Sequence, residues 1–296
     1  MRGRHRNQAG FSLVELVVVM IVTGIISGSV GAFMTRPFEG YNDLARRTTL
    51  VDAADLAARR LARDVHRALP NSLRVGAGGQ ALELLHTVDG VRYRAVPAVN
   101  GGGDDHTAAS DVLSFFGDAS WNVIGRLQTL SFAYGTPLPA GHRVAIYTTD
   151  PVLTYSDAAG GANPGLVTPL GTSITIADDG DEDQIALSAP HQFRFSSPGR
   201  RLYVVDEPVS YLCDTGAETL TRYADYAITA GQPTDPAAAP LSAAGAGLIT
   251  RRVSACAFTY QPGTSQRAGM VTLDLSLSED GETIRLFRQI HVGNTP

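Results

Sequence analysis

Lysine is absent from the chain: all 24 residues in the Lys+Arg count are arginine, and we assign this no function. Catalytic signatures are missing too. There is no HExxH, GxSxG, P-loop or glycine-rich dinucleotide motif, and the seven histidines have no ligand-like spacing, which points away from an enzyme. The first ten residues contain no acid, and residues 16–34 contain no charge at all. No proline occurs before Pro37, and there are only two cysteines, Cys213 and Cys256, and one tryptophan, Trp121.

Charge is divided unevenly. The formal net charge is −5, but Arg2, Arg4 and Arg6 sit in the leader, leaving 21 arginines against 29 acids in the rest. A body this acidic is a poor partner for nucleic acid, whose non-specific binding runs on phosphate neutralisation.

The 19 uncharged residues Leu16–Met34 approach the ~20 needed to cross a hydrocarbon core. Basic residues precede the run, so the positive-inside rule keeps residues 1–10 in the cytoplasm and exports the remainder. A secretory signal peptide cut near Val30–Ala32 is the alternative. Against it stand the length of the apolar run and an acid, Glu15, near its start. An unpaired carboxylate inside a membrane costs about 2.5–3.5 kcal/mol on insertion scales, so Glu15 calls for a partner.

A basic leader ending in Gly10, followed by "FSLVELVVVMIV", resembles the signal of type IV pilins and type II secretion pseudopilins. The resemblance implies cleavage by prepilin peptidase between Gly10 and Phe11 and methylation of the new amine on Phe11. Glu15 then becomes the fifth mature residue, facing the ammonium of a neighbouring subunit in an assembly, where opposite charges in low dielectric offset part of their desolvation. Many major pilins carry a proline in the second half of this segment; here the positions are glycines, Gly24, Gly28 and Gly31. Gly24 and Gly28 are either a close-packing face for another helix or a local weakening of about 1 kcal/mol per glycine.

Beyond Pro37 apolar residues recur with a helical period through Leu69, and Pro70 closes the run. Asp43–Arg47, Asp55–Arg59 and Arg60–Asp64 are spaced as i,i+4 ion pairs. Arg59, Arg63 and Arg67 form a basic stripe, read as a solvated face, with an acidic neighbour as the alternative. The pattern then turns to strands. "ALELLHTVDGVRYRAV" is expected to be a hairpin around Asp89-Gly90, and "MVTLDLSLSEDGETIRLFRQIHV" a second around Asp280-Gly281. "DVLSFF", "HRVAIYTT", "QFRFSS", "RRLYVVDEPVSYLC" and "SACAFTYQ" are further strand candidates. Stretches 98–110, 157–171 and 230–247 read as loops.

The expected fold is therefore α+β, with residues 1–10 a leader, 11–34 a transmembrane and assembly helix, 35–70 its amphipathic continuation and 71–296 a β-rich head. In an exported head, the pair Cys213 and Cys256 reads as a disulfide. Asp179, Asp181 and Asp183 are spaced like the start of an EF-hand loop, but Gln184 and Pro190 stand where glycine and glutamate are required. That leaves a solvated acidic turn, or an irregular calcium site, and no cofactor is expected.

Patches of the body, among them "RDVHRALPNSLRV", "HQFRFSSPGRRLYVVDEPVSYLC" and "FTYQPGTSQRAGMVTLDLSLSEDGE", resemble MshO-type minor pilins of the mannose-sensitive haemagglutinin (MSHA) pilus. That resemblance implies a low-abundance subunit that initiates or caps a pilus. Its implied partners are prepilin peptidase, other major and minor pilins met through the N-terminal helix, and the bacterial inner membrane, with the head periplasmic. A J-type minor pseudopilin of type II secretion is the alternative within the class. A tip adhesin using Trp121 and the glycine-rich loops is the alternative outside it.

Overall fold

The computed structural model describes residues 10, 12–98, 107–108, 111–161, 163–264 and 266–294. The expectations for Phe11 and most of the 98–110 loop lie outside them. The chain divides into two compact units, 1–50 and 51–296.

Helix α1 spans Leu13–His66. Over Leu13–Val30 its large apolar side chains are exposed, from Leu13 at 81 % to Val17 at 44 %, while Leu50, the last residue of the first unit, is buried. In the second unit one face is covered: Ala54, Ala57, Ala58, Leu61 and Val65 are buried, at the spacing of one helical stripe. Alanine in three of those places lets the backbone approach its neighbours closely. The helix stops at His66, short of Pro70. The amides of Arg67 and Ala68 turn back to Asp64 and Val65. Leu69 N–H then donates to the carbonyl of Leu85, and Thr87 N–H to that of Arg67. Sheet hydrogen bonds displace the last helical turn.

The head is dominated by antiparallel strands. The nine-stranded sheet comprises β1 (Arg74–Gly76), β2 (Ala81–Tyr93), β3 (Asp118–Ile124), β4 (Arg143–Ile146), β5 (Ile174–Asp179), β6 (Glu182–His191), β7 (Arg201–Asp214), β8 (Thr219–Ala224) and β9 (Gly245–Arg251). Its spine is the long pair β2–β7, in register from Ala81↔Leu212 to Arg92↔Arg201. The order β5-β6-β3-β2-β7-β8-β9 builds outward from that pair, with β1 also on β2 and β4 also on β7. A separate three-stranded sheet orders β10 (Val253–Gln261), β11 (Met270–Glu279) and β12 (Glu282–His291).

The Asp280-Gly281 turn forms as expected, with both residues at positive φ (48° and 85°) between β11 and β12, the conformation of a two-residue I′ turn. The Asp89-Gly90 hairpin does not form. Both residues lie inside β2, next to register shifts against β7. Asp89 Oδ2 accepts the amides of Gln128, Thr129 and Leu130 at 2.7–3.0 Å, and its Oδ1 accepts that of Gly90. The pair whose sequence suggests a turn instead anchors a distant loop at an irregularity in a continuous strand.

Other local expectations shift. "DVLSFF" precedes β3 without forming a strand, and in "QFRFSS" only Phe193 bridges, to Gly165. Helix α2 (Pro151–Gly160) runs four residues into the 157–171 stretch read as loop. Its signals are present: Asp150 caps it by accepting from Leu153 N–H (2.9 Å), Pro151 opens it, and Gly161 comes after it at φ 73°. Both faces of the large sheet are covered, and β4 shows this in four residues. Val144 and Ile146 join a cluster with Trp121, Phe193 and Ile185. Ala145 joins another with Tyr155, Ala158 and Leu166.

Candidate assembly segment

Ser12 is the N-cap of α1. Its Oγ accepts the Glu15 N–H at 3.2 Å, and its carbonyl accepts the Leu16 N–H, the first helical bond. Ser12-Leu13-Val14-Glu15 has the spacing of a capping box. The first turn thus holds Glu15 where the positive end of the helix dipole favours a carboxylate. The cap satisfies one backbone donor; the carboxylate itself is left exposed.

From Leu13 to Gly31 the helix carries one charged residue, Glu15, with a mean hydropathy of 2.3 and none of its residues buried. At 1.5 Å per residue it is about 28 Å long, close to a ~30 Å hydrocarbon core. It is therefore long and apolar enough to serve as a membrane anchor. Such a surface is far larger than a soluble monomer leaves bare. The helix runs without a break through Gly24, Gly28 and Gly31, and a Cβ at any of them would meet nothing within 4 Å. Among the described residues, these glycines leave open space beside the backbone.

The expected ion pairs are only partly those formed. Asp55 takes Arg59 at 2.7 Å, while Asp43 takes Arg46 at 3.6 Å. Asp64 turns to the sheet, where its Oδ2 accepts from Tyr211 Oη (2.7 Å) and Arg222 Nε (2.6 Å). Arg60 and Arg63 line a cavity of about 310 Å³ with Arg222 and Leu248. Of the arginine stripe, Arg59 is held within the helix by Asp55, and Arg67 lines a second cavity of about 730 Å³ with Arg92 and Arg201.

The acidic stretch forms the β5–β6 hairpin. Asp179 Oδ2 accepts from Asn122 Nδ2 (2.9 Å). Asp183 is buried and accepts from the Leu127 amide and the Tyr134 hydroxyl, both at 2.8 Å. Asp181 lies in the connecting turn. Among the described residues, no group of three His, Cys, Asp or Glu side chains is arranged to hold a metal ion.

Cys213 on β7 and Cys256 on β10 are joined by a disulfide that ties the two sheets together across 43 residues of chain. The chain-entropy model gives such a closure about 4 kcal/mol. Trp121 is fully buried, with its ring edge-to-face on Phe193 at 5.8 Å. It is a core residue and offers no contact surface, which removes it from the adhesin reading.

Buried ionic groups escape sequence reasoning, because their partners lie in different strands. Glu83 is fully buried against Arg74, and burial raises its carboxyl pKa even though Arg74 opposes the shift. Arg74 also stacks over Tyr155, 3.5 Å from the ring centre. Arg94 pairs with Glu182, likewise buried.

A family model described as a prokaryotic N-terminal methylation motif matches residues 5–31. The match includes Gly10, Phe11 and Glu15, along with most of the apolar helix. No curated protein and no solved structure matches the chain.

Proposed function

We infer that the protein acts as a pilin or pseudopilin, a role supported by the type IV pilin-like methylation signal in residues 5–31, which implies processing by prepilin peptidase and interaction with other pilins. From that premise we propose that the protein is a minor pilin of an MSHA-type pilus, acting at initiation or at the tip, and that it has no enzymatic activity and no resident cofactor. The observation that carries this reading is the coincidence of that signal with an exposed, unbroken apolar helix beginning at Leu13, just after the Ser12 cap. The peptidase cuts between Gly10 and Phe11 on the cytoplasmic side. The helix then anchors the subunit in the inner membrane, with the head on the periplasmic side, where a disulfide persists. A strand-rich head of about 230 residues is bulky for a repeating shaft subunit, which favours an end position.

Glu15 has two electrostatic supports in this scheme. The dipole of its own helix acts before assembly, and the methylated amine on Phe11 of a neighbour acts afterwards. Mass spectrometry of the mature N-terminus is expected to find N-methylated Phe11; an N-terminus beyond Val30 would overturn the reading. Glu15→Val is expected to insert and be cut normally but to be lost from sheared filaments, and wild-type incorporation of that variant would refute the pairing role. A J-type minor pseudopilin shares the signal and the α+β design. Restored secretion, with no effect on pili, on complementing a deletion strain would favour it.

A further inference from the structure

Among the described residues of the head, Arg74, Arg94 and Arg143 are largely or fully withdrawn from solvent, and they have different surroundings. Arg74 has the Glu83 carboxylate, the Tyr155 ring and the carbonyls of Thr229 and Gly231. Arg94 has Glu182. Arg143 is 3 % exposed and makes one bond, from Nη1 to the carbonyl of His142 at 2.9 Å. Its Nε–H is buried without a partner. Burial lowers its pKa below the ordinary arginine value.

A guanidinium does not lose its proton in proteins, so this charge stays buried with no ion pair among the described residues. Strand alternation sends Arg143 to the same face as Ala145. There it lines a cavity of about 140 Å³ walled by Ala158, Leu170, Ala227 and Ile228. That is the space of about five water molecules, at ~30 Å³ each. Asp206 lines the same cavity. Its Oδ1 is taken by His86 Nδ1 (2.9 Å) and the Glu207 amide (2.8 Å), and it makes no ion pair with Arg143. Arg143 also borders a second cavity of about 290 Å³ beside Leu138 and Ile174.

We propose that the cavity at Arg143 binds a small oxyanion of the carboxylate or phosphate class, held by the guanidinium. Apolar walls exclude water and strengthen the charge-assisted bond. The free Nε–H belongs to the edge of the guanidinium that matches a two-oxygen ligand. The site is independent of the pilin reading, because none of its residues belongs to the N-terminal segment.

The test uses the full chain in detergent micelles, titrated separately with sodium acetate and with sodium phosphate, with ionic strength held constant by sodium chloride. Tm and the Arg143 Nε–H resonance are tracked together. A saturable rise in Tm with a shift of that resonance is expected for at least one anion. Acetate alone identifies a carboxylate site, and phosphate alone a phosphate site. The response should be lost in Arg143→Leu and moved to higher concentration in Arg143→Lys. No effect of either anion beyond chloride, or an undiminished response in Arg143→Leu, would overturn the proposal. If the leucine variant does not fold, the wild-type resonance decides the matter.

Discussion

Two stretches of the same helix, Leu13–Gly31 and Val51–His66, have equally regular backbones and opposite surroundings. In the first, every side chain is exposed and the apolar surface runs all the way round, with Glu15 the one charge. In the second, Ala54, Ala57, Ala58, Leu61 and Val65 are buried while Asp55 and Arg59 face water. Hydrophobicity alone therefore does not say where a helix is buried; its distribution round the axis does. A helix that is apolar on all sides needs lipid or neighbouring subunits, and one with a single stripe is satisfied by its own domain.

The largest test of that contrast is a matched pair of truncations. Leu61→Ala is expected to destabilise the head by about 2–5 kcal/mol, the usual cost of removing a fully buried leucine. Ile21→Ala should leave it within about 0.5 kcal/mol of wild type. Denaturant unfolding monitored by the fluorescence of Trp121, the single tryptophan and a core residue, reads both. Equal losses would break the distinction.

A smaller effect is expected at Asp64, which joins the second stretch to β7 and β8. Asp64→Asn should cost about 1.5–3 kcal/mol, the range for hydrogen bonds to a charged group. Burial, and then the Asp64 charge, hold the Tyr211 phenol well above the ordinary tyrosine value. Below about pH 10 the folded and unfolded chains both keep that proton. Above it the unfolded chain releases its proton first, so stability falls as pH rises. Unfolding measured up to alkaline pH should show that decline, with a shallower slope in Tyr211→Phe. The smallest effect belongs to the exposed Asp55–Arg59 pair: Asp55→Ala should change stability by less than about 0.5 kcal/mol.

Legibility tracks the range of the interactions. The apolar run, the amphipathic stripe and the Asp280-Gly281 turn depend on neighbours a few residues away, and pattern reasoning can reach them. Asp89-Gly90 looks the same locally, yet its carboxylate is claimed by the amides of residues 128–130, some forty positions downstream. Helix α2 is legible in Asp150-Pro151, but the glycine-rich stretch after it masks that signal.

The sequence by itself determined the methylation signal, the apolar helix and the strand-rich character of the head, since each is written in composition and short-range period. Tertiary structure alone decided that β2 and β7 form the spine, that Trp121 is core, and that Asp64 turns from its own helix to the sheet. It also decided that Arg143 is buried beside an open cavity while Arg74 and Arg94 find carboxylates. Those outcomes depend on which distant strands come to lie side by side, and burial in low dielectric then sets the energy of each charge by the partners it meets there.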